Sequence, residues 1–149
     1  MDRRDFLRAM IATTTGAVPA HAQTVGKTPR VGVLISAAAP HPFAEAFKRG
    51  LSNLGYVEGS NVSIEWRYSE GRYDKVAESA KELADSNVDV IVAHFTPAVK
   101  AAMAATSTIP IVMAPAGAPL QVGFIKNLAR PDGNVTGLSG MDVEIGGKR

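Results

Sequence analysis

Two histidines and a threonine are the residues of this 149-residue chain whose types and positions best fit a chemical role. His41 and His94 both follow apolar runs, and two imidazoles brought together could share a divalent metal ion. Metal sites ordinarily have three or four protein ligands, so two ordinary loop histidines are the alternative interpretation. Thr96 stands directly before Pro97, a pair that is typical of the start of a helix.

The start of this predicted helix could bind an anion. The backbone amides of Ala98 and Val99, together with the Thr96 hydroxyl, could hold a carboxylate at the positive end of the helix dipole. Pro97 supplies no donor there. Phe95 could stack on an aromatic or aliphatic part of the same ligand. In the alternative interpretation Thr96 only caps its own helix and Phe95 belongs to the core, although the capping and binding roles of Thr96 are compatible.

Catalytic groups are poorly represented. The absence of cysteine removes thiol catalysis, thiolate metal sites and disulfides together. Residues 137–140 are Gly-Leu-Ser-Gly, but Met141 stands where a nucleophile elbow needs a final glycine, and no acid–histidine pair can be assigned to Ser139. We therefore predict that the chain is not an enzyme and uses no cofactor; an enzyme using His41 or His94 is the weaker alternative.

Patterns typical of strands and helices alternate along the chain. The strands and helices that they predict must position the histidines and the threonine. Short runs rich in β-branched residues, one of them with a polar face, predict strands at residues 30–36, 62–68, 88–93, 109–114 and 135–138. Amphipathic spacing predicts helices at residues 42–54, 73–86, 98–106 and 120–128. Strict alternation of this kind predicts a doubly wound α/β fold with a parallel five-stranded sheet in the flavodoxin-like order 2-1-3-4-5.

In such a sheet a ligand lies outside the carboxyl ends of the strands, which selects the loops at 36–42, 94–97 and 114–119. These loops contain no Asp or Glu, so they lack the clustered acids of a response-regulator receiver. They also lack a flavodoxin's hydroxyl-rich phosphate loop and the Gly-x-Gly-x-x-Gly turn of a dinucleotide enzyme. The loops therefore favour binding of a small molecule over these chemistries.

The first 22 residues have the pattern of an export signal. Arg3-Arg4 precedes Phe6-Leu7, as in leaders of the bacterial twin-arginine (Tat) pathway, and Ala20-His21-Ala22 has the small residues that a signal peptidase needs. We predict a twin-arginine signal peptide at residues 1–22, cleavage between Ala22 and Gln23, and a periplasmic protein. Scattered basic residues nearly balanced by acidic ones, 16 against 14, give no reason to expect nucleic acid as a partner.

Several longer motifs resemble a known family. They are Arg30-Val-Gly-Val-Leu34, Ala46-Phe-x-x-Gly-Leu-x-x-Leu-Gly-Tyr-Val-Glu-Gly-x-Asn-Val62, Glu65-Trp-Arg-Tyr-x-Glu-Gly-x-Tyr-Asp74, Ile109-Pro-Ile-Val112 and Arg130-Pro-x-Gly-Asn-Val-Thr-Gly137. With the leader, they are similar to the substrate-binding proteins of ABC uptake systems of the TrpX type. The match covers nearly the whole chain after the leader, and the motifs are specific in combination.

The resemblance implies one lobe of a type I periplasmic binding protein, in which a small solute, in some members an aromatic amino acid, is clamped between two lobes. It implies an ABC permease in the inner membrane as partner, and no catalysis. The positions that correspond to the family's ligand contacts are Ser36, Pro42, Phe43, His94, Phe95, Thr96, Ala98, Ala114, Ala116 and Ala118.

Two departures from the family pattern affect these expectations. Members often have an acidic residue before the proline that is Pro119 here, whereas this chain has Ala118, so an uncharged or anionic solute fits as well as an amino acid. Residues 23–140 correspond to an N-terminal lobe and residues 141–149 to the start of a crossover into a second lobe that the sequence does not contain. The expectation is a truncated solute-binding component whose exposed face could self-associate. The alternative is a single-lobe interaction module without solute.

Overall fold

The structure, a computed structural model, describes residues 27–117, 123–124 and 133–140. The predicted leader with its cleavage site at Ala22 and Gln23, the site position Ala118 and the crossover at 141–149 lie outside the described residues. So does most of the fourth helix predicted at 120–128.

Five parallel strands and three helices make up the described fold. They are β1 (Arg30–Ile35), α1 (Pro42–Asn53), β2 (Ser63–Tyr68), α2 (Tyr73–Asp85), β3 (Val90–His94), α3 (Thr96–Ala105), β4 (Ile111–Gly117) and β5 (Val135–Gly140). The strands form one sheet in the order β2-β1-β3-β4-β5, and every pairing is parallel. The predicted doubly wound α/β fold and strand order are confirmed.

The two faces of the sheet bury separate apolar clusters, because successive residues of a strand point to opposite faces. Leu34 and its neighbours on one face pack with α2 and α3, where Leu83 and Val99 are fully buried. Val33 and Ile35 on the other face pack with Phe43 and other apolar residues of α1. The carboxyl ends of β1 and β3 therefore reach the same edge of the sheet between two helical layers.

The first helix begins and ends where the sequence predicts. His41 is its N-cap: the imidazole Nδ1 accepts a hydrogen bond from the Phe43 backbone amide at 3.3 Å, and Pro42 occupies the first turn. At the other end Gly55 has φ 87°, the left-handed conformation that commonly terminates a helix. This fixed start places Pro42 and Phe43 beside the carboxyl ends of β1 and β3.

The fourth strand is longer than predicted, and this corrects the loop assigned to residues 114–119. β4 continues to Gly117, so Ala114 and Ala116 lie on a strand. Met113 pairs with Gly137 and Ala116 with Ser139, which leaves one extra residue on β4 between the two pairs. Such a β-bulge tolerates Pro115, which cannot donate to a regular ladder; an Ala-Pro-Ala-Gly sequence therefore looks like a loop while forming a strand.

Among the residues described, no helix is both long and apolar enough to cross a bilayer.

Candidate functional site

Four rings meet at the carboxyl end of β3, and we call them the aromatic cluster: His41, Phe43, His94 and Phe95. The ring centroid of His94 lies 3.8 Å from that of Phe95 and 4.2 Å from that of Phe43. His41 meets His94 edge to face at 5.0 Å and Phe95 at 6.0 Å. The structure thus joins the β1–α1 loop, the first turn of α1 and the β3–α3 junction at one place.

His94 is the buried member of the cluster. Its side chain is 4% exposed, and its Nδ1 has no hydrogen-bond partner among the described residues. Burial, with a smaller contribution from the charge of His41, lowers the pKa of His94 to about 4, so the ring is neutral near pH 7. In the described part of the chain, no three His, Cys, Asp or Glu side chains come together as metal ligands would. The two histidines do meet, in an edge-to-face ring contact.

Phe95 connects β3 to α3 with a strained backbone. Its φ is 71° and its ψ is 158°, a region that residues other than glycine rarely adopt. The side chain is 42% exposed, so the interpretation of Phe95 as a core residue is wrong. Strain of this kind persists where the surrounding structure enforces it, and it often marks a ligand site.

The start of α3 differs from the prediction in two ways. The helix begins at Thr96, two residues earlier than predicted, and Phe95 is its N-cap; Thr96 therefore lies in the first turn and is not the cap. The Val99 amide donates to the Phe95 carbonyl at 3.2 Å and cannot also hold an anion. The Thr96 and Ala98 amides remain, because the first-turn amides of a helix have no acceptor within it.

Within the part of the chain that the structure describes, no side chain caps α3. In contrast, His41 caps α1. The positive end of the α3 dipole is therefore directed at the carboxyl edge of the sheet without a neutralising side-chain acceptor, which is favourable for an anionic group. Ala98 itself is fully buried, so it can contact a ligand only through its backbone.

The other predicted site residues lie at different depths around the aromatic cluster. Ser36 is half-buried, and its hydroxyl donates to the His94 carbonyl at 3.3 Å. Pro42 is exposed, and Ala114 pairs with His94 on the neighbouring strand. Ala116 is 1% exposed and packs in the core on the α2 and α3 side, so its side chain cannot contact a ligand at this edge. Ala118 lies outside the described residues.

Sequence reasoning did not anticipate the place of His41 in this cluster as a helix cap. A histidine directly before a proline that opens an amphipathic stretch was the available signal. The sequence patterns likewise predicted no role for Ser69, a buried serine directly after β2.

Comparison with known proteins shows what the chain is similar to. A family model described as ABC transporter substrate binding protein matches residues 30–145. A Tyrosine-binding protein of Clostridioides difficile strain R20291 is 33% identical over 109 residues, which are 70% of this chain and 32% of the relative.

Solved structures give the same result. An ABC domain from Streptococcus pneumoniae in complex with L-Trp is 33% identical with a TM-score of 0.68, and the match covers 76% of this chain and 39% of that one. A conserved domain protein from Vibrio cholerae is 34% identical with a TM-score of 0.69 and the same coverage. The chain thus spans between about a third and two fifths of the length of these relatives. The family match extends over most of the sequence, and this chain belongs to the ABC transporter substrate-binding protein family.

Proposed function

We propose that this chain provides one binding lobe of a substrate-binding protein that delivers an amino acid with an aromatic side chain to an ABC permease in the inner membrane. The observation that carries the proposal is Phe95: an exposed ring on a strained backbone, beside the uncapped start of α3. Two of the relatives support the solute class, since one is named for tyrosine and another was solved with L-Trp.

Two kinds of contact bind the solute in this proposal, one to its aromatic ring and one to its carboxylate. The rings of Phe95 and His41 present apolar surface on which the aromatic side chain of the solute stacks. The Thr96 and Ala98 amides, with the Thr96 hydroxyl, hold the solute carboxylate at the start of α3. His94 is neutral near pH 7, so its ring contacts the Phe95 ring without adding charge to the site.

Replacing Thr96 by valine tests the carboxylate contact. A hydrogen bond to a charged group contributes about 1.5–3 kcal/mol, so Thr96→Val should weaken binding of L-tryptophan by about one to two decades. NMR titration of the chain with L-tryptophan measures this, with exposed Thr136→Val as the matched control. Unchanged affinity in a folded Thr96→Val variant would remove Thr96 from the site.

We also propose that residues 1–22 direct export through the twin-arginine pathway and that cleavage leaves Gln23 first. Arg3-Arg4 and the Ala20-x-Ala22 spacing support this. Mass spectrometry of the periplasmic fraction should find Gln23 at the amino terminus. Changing Arg3 and Arg4 together to lysine should leave precursor in the cytoplasm, and normal export of that variant would contradict the twin-arginine route.

A domain assignment accompanies this proposal: residues 23–140 are the lobe, and residues 141–149 lead into the crossover to a second one. The share of the solved relatives that the chain covers, 39%, supports an assignment to one of two lobes.

A second candidate function, an interaction module without solute, is favoured by the exposed part of the apolar surface of α1. An open groove of about 400 Å³ runs along this helix, and Leu54 at its end is 75% exposed. The groove is lined by Phe43, Ala46, Phe47, Gly50, Leu51 and Leu54. Light scattering distinguishes the candidates: self-association that Leu54→Lys abolishes, with no response to L-tryptophan, would favour the interaction module.

A further inference from the structure

A small cleft lies between the carboxyl ends of β1 and β2 and the starts of α2 and α3, and we call it the Ser69 cleft. Its volume is about 60 Å³, enough for a small polar group. It is lined by Ser36, Ser69, Gly71, Arg72, Tyr73, Val76 and Pro97. The cleft adjoins the aromatic cluster, since Ser36 also donates a hydrogen bond to the His94 carbonyl and Pro97 belongs to the first turn of α3.

Ser69 is the unusual residue of this cleft. Its side chain is fully buried, and its hydroxyl has no hydrogen-bond partner among the described residues. The backbone holds it in place: the Ser69 amide donates to the Ile35 carbonyl at 3.0 Å, and its carbonyl accepts from the Arg72 amide at 2.9 Å. Buried hydroxyls in folded proteins nearly always have a partner, so an unpartnered one that lines a cleft indicates a ligand group.

The charged side chains beside the cleft pair with one another. Among the described residues, Arg72 is the one charged residue in the lining of the cleft, and its guanidinium is paired with Asp74. The two nearest carboxylates in sequence are both engaged: Asp74 accepts from Arg72 at 2.5 Å, and Glu70 accepts from Lys75 at 2.6 Å. The helix α2 also starts at the cleft, and Asp74 in its first turn partly balances the positive end of that helix dipole. We therefore expect an anion because of the unpartnered Ser69 hydroxyl and the neighbouring start of α3.

We propose that the Ser69 hydroxyl donates a hydrogen bond to the carboxylate of the solute, one oxygen of which enters the Ser69 cleft from the first turn of α3. The inference rests on the proposed function and deepens it, because it makes Ser69 a residue that selects solutes with a carboxylate. The cleft admits a group of that size and excludes an aromatic ring, which stays on the aromatic cluster.

The experiment compares two probes on the full chain and its variants. L-tryptophan has the carboxylate, and tryptamine has the same ring and amine without it. NMR titration should show that Ser69→Ala binds L-tryptophan about tenfold more weakly than the unaltered chain while tryptamine affinity is unchanged. The matched control is Ser52→Ala, which removes an exposed hydroxyl from α1 and should bind both probes as before.

Thermal unfolding without ligand supplies a second readout. Removing an unpartnered buried hydroxyl removes a desolvation penalty, so Ser69→Ala should unfold at the same or a higher temperature. A clear fall in its Tm would show that the hydroxyl has a structural partner, such as a bound water, and would overturn the inference.

The results distinguish a failure of the proposed function from a failure of the inference about Ser69. If the unaltered chain binds neither probe, the proposed function is wrong, and the inference falls with it. If the chain binds L-tryptophan and Ser69→Ala binds it equally well, the proposed function stands and the role of Ser69 is wrong. A loss of tryptamine binding in Ser69→Ala would assign the cleft to the amine, which also overturns the inference.

Discussion

Phe95 has a bulky exposed side chain and a positive φ, two properties that a stable fold ordinarily keeps apart. The ring is useful to a binding site, whereas the backbone conformation suits glycine. Strain of this kind contributes about 1–3 kcal/mol of destabilisation. The strained conformation therefore lowers the stability of the fold while it places the Phe95 ring at the carboxyl edge of the sheet.

From the strained backbone at Phe95 we predict the relative stabilities of two substitutions. Glycine is ordinarily less favourable than alanine, but at φ 71° alanine keeps the steric conflict and glycine does not. Phe95→Gly should therefore be more stable than Phe95→Ala by about 1 kcal/mol. Urea unfolding of both variants measures the difference. A more stable alanine variant would show that the backbone at this position is not strained.

The lowered pKa of His94 leads to a prediction of how the stability of the fold depends on pH. Its pKa in the folded state, about 4, lies below the ordinary value of 6.5, so the unfolded chain binds a proton more readily between these values. Stability should fall as the pH drops from about 6.5 towards 4, by about 1–2 kcal/mol between pH 7 and pH 5.

Denaturant unfolding at several pH values checks this dependence. His94→Gln should flatten the curve between pH 6.5 and 5. The control His41→Asn keeps a helix-capping side chain and should retain most of the dependence, because burial is the main cause of the His94 shift. An unchanged slope in His94→Gln would assign the effect to other groups.

At the scale of elements, the bulge in β4 depends on a glycine in the strand beside it. Gly137 has φ 128°, and a Cβ placed there would lie 2.4 Å from the Met113 carbonyl oxygen. The close approach lets β5 pair with β4 on both sides of the bulge. Since Ala114 of β4 pairs with His94, the pairing of β4 with β5 helps to fix the edge of the sheet at the candidate site.

Adding a methyl group at Gly137 should therefore destabilise the fold. Gly137→Ala combines an unfavourable φ with a backbone clash, and we expect a loss of about 2–4 kcal/mol. Gly59→Ala is the matched control, because φ there is 81° with no atom within 4 Å of the added Cβ; it should lose only about 1 kcal/mol. Equal losses in thermal or urea unfolding would contradict the close approach.

The boundaries of α3 and β4 show where sequence patterns were insufficient. A helix that starts directly after a strained phenylalanine has no capping signal at Phe95, so Thr96 looked like the cap. A strand with Pro115 inside it has no regular alternation, because the bulge that accommodates the proline depends on its partner strand. Both features are set by tertiary contacts, which local patterns do not record.

At the scale of the whole molecule, the strand order could be predicted because buried parallel strands are continuously apolar and right-handed crossovers leave few topologies. The same rule predicted the edge at which His94, Phe95 and Thr96 lie. The role that we propose for Ser69 could not be predicted from the sequence, since one serine after a strand has no distinguishing pattern. Its significance appears only when the ends of β1 and β2 and the starts of two helices are seen together.

In the function that we propose, the described residues provide one wall of the binding site, and this limits the affinity that we expect from them. Small-molecule sites bury about 70–90% of a ligand, and a single wall covers about half of it. If a complete clamp binds near 1 μM, about −8 kcal/mol, half the contacts leave about −4 kcal/mol, which corresponds to millimolar binding. Measurements on this chain therefore need millimolar solute.

A map of amide shifts in the isotope-labelled chain, recorded during titration with L-tryptophan, shows directly whether the carboxyl edge of the sheet binds the solute. We expect saturable, millimolar binding with the largest shifts at the Phe95, Thr96 and Ala98 amides. Ser52 and Gly59, which lie in α1 and in the turn before β2, should stay unchanged. Shifts concentrated along α1, or no saturable shift at the start of α3, would contradict the claim that this edge of the sheet binds the solute.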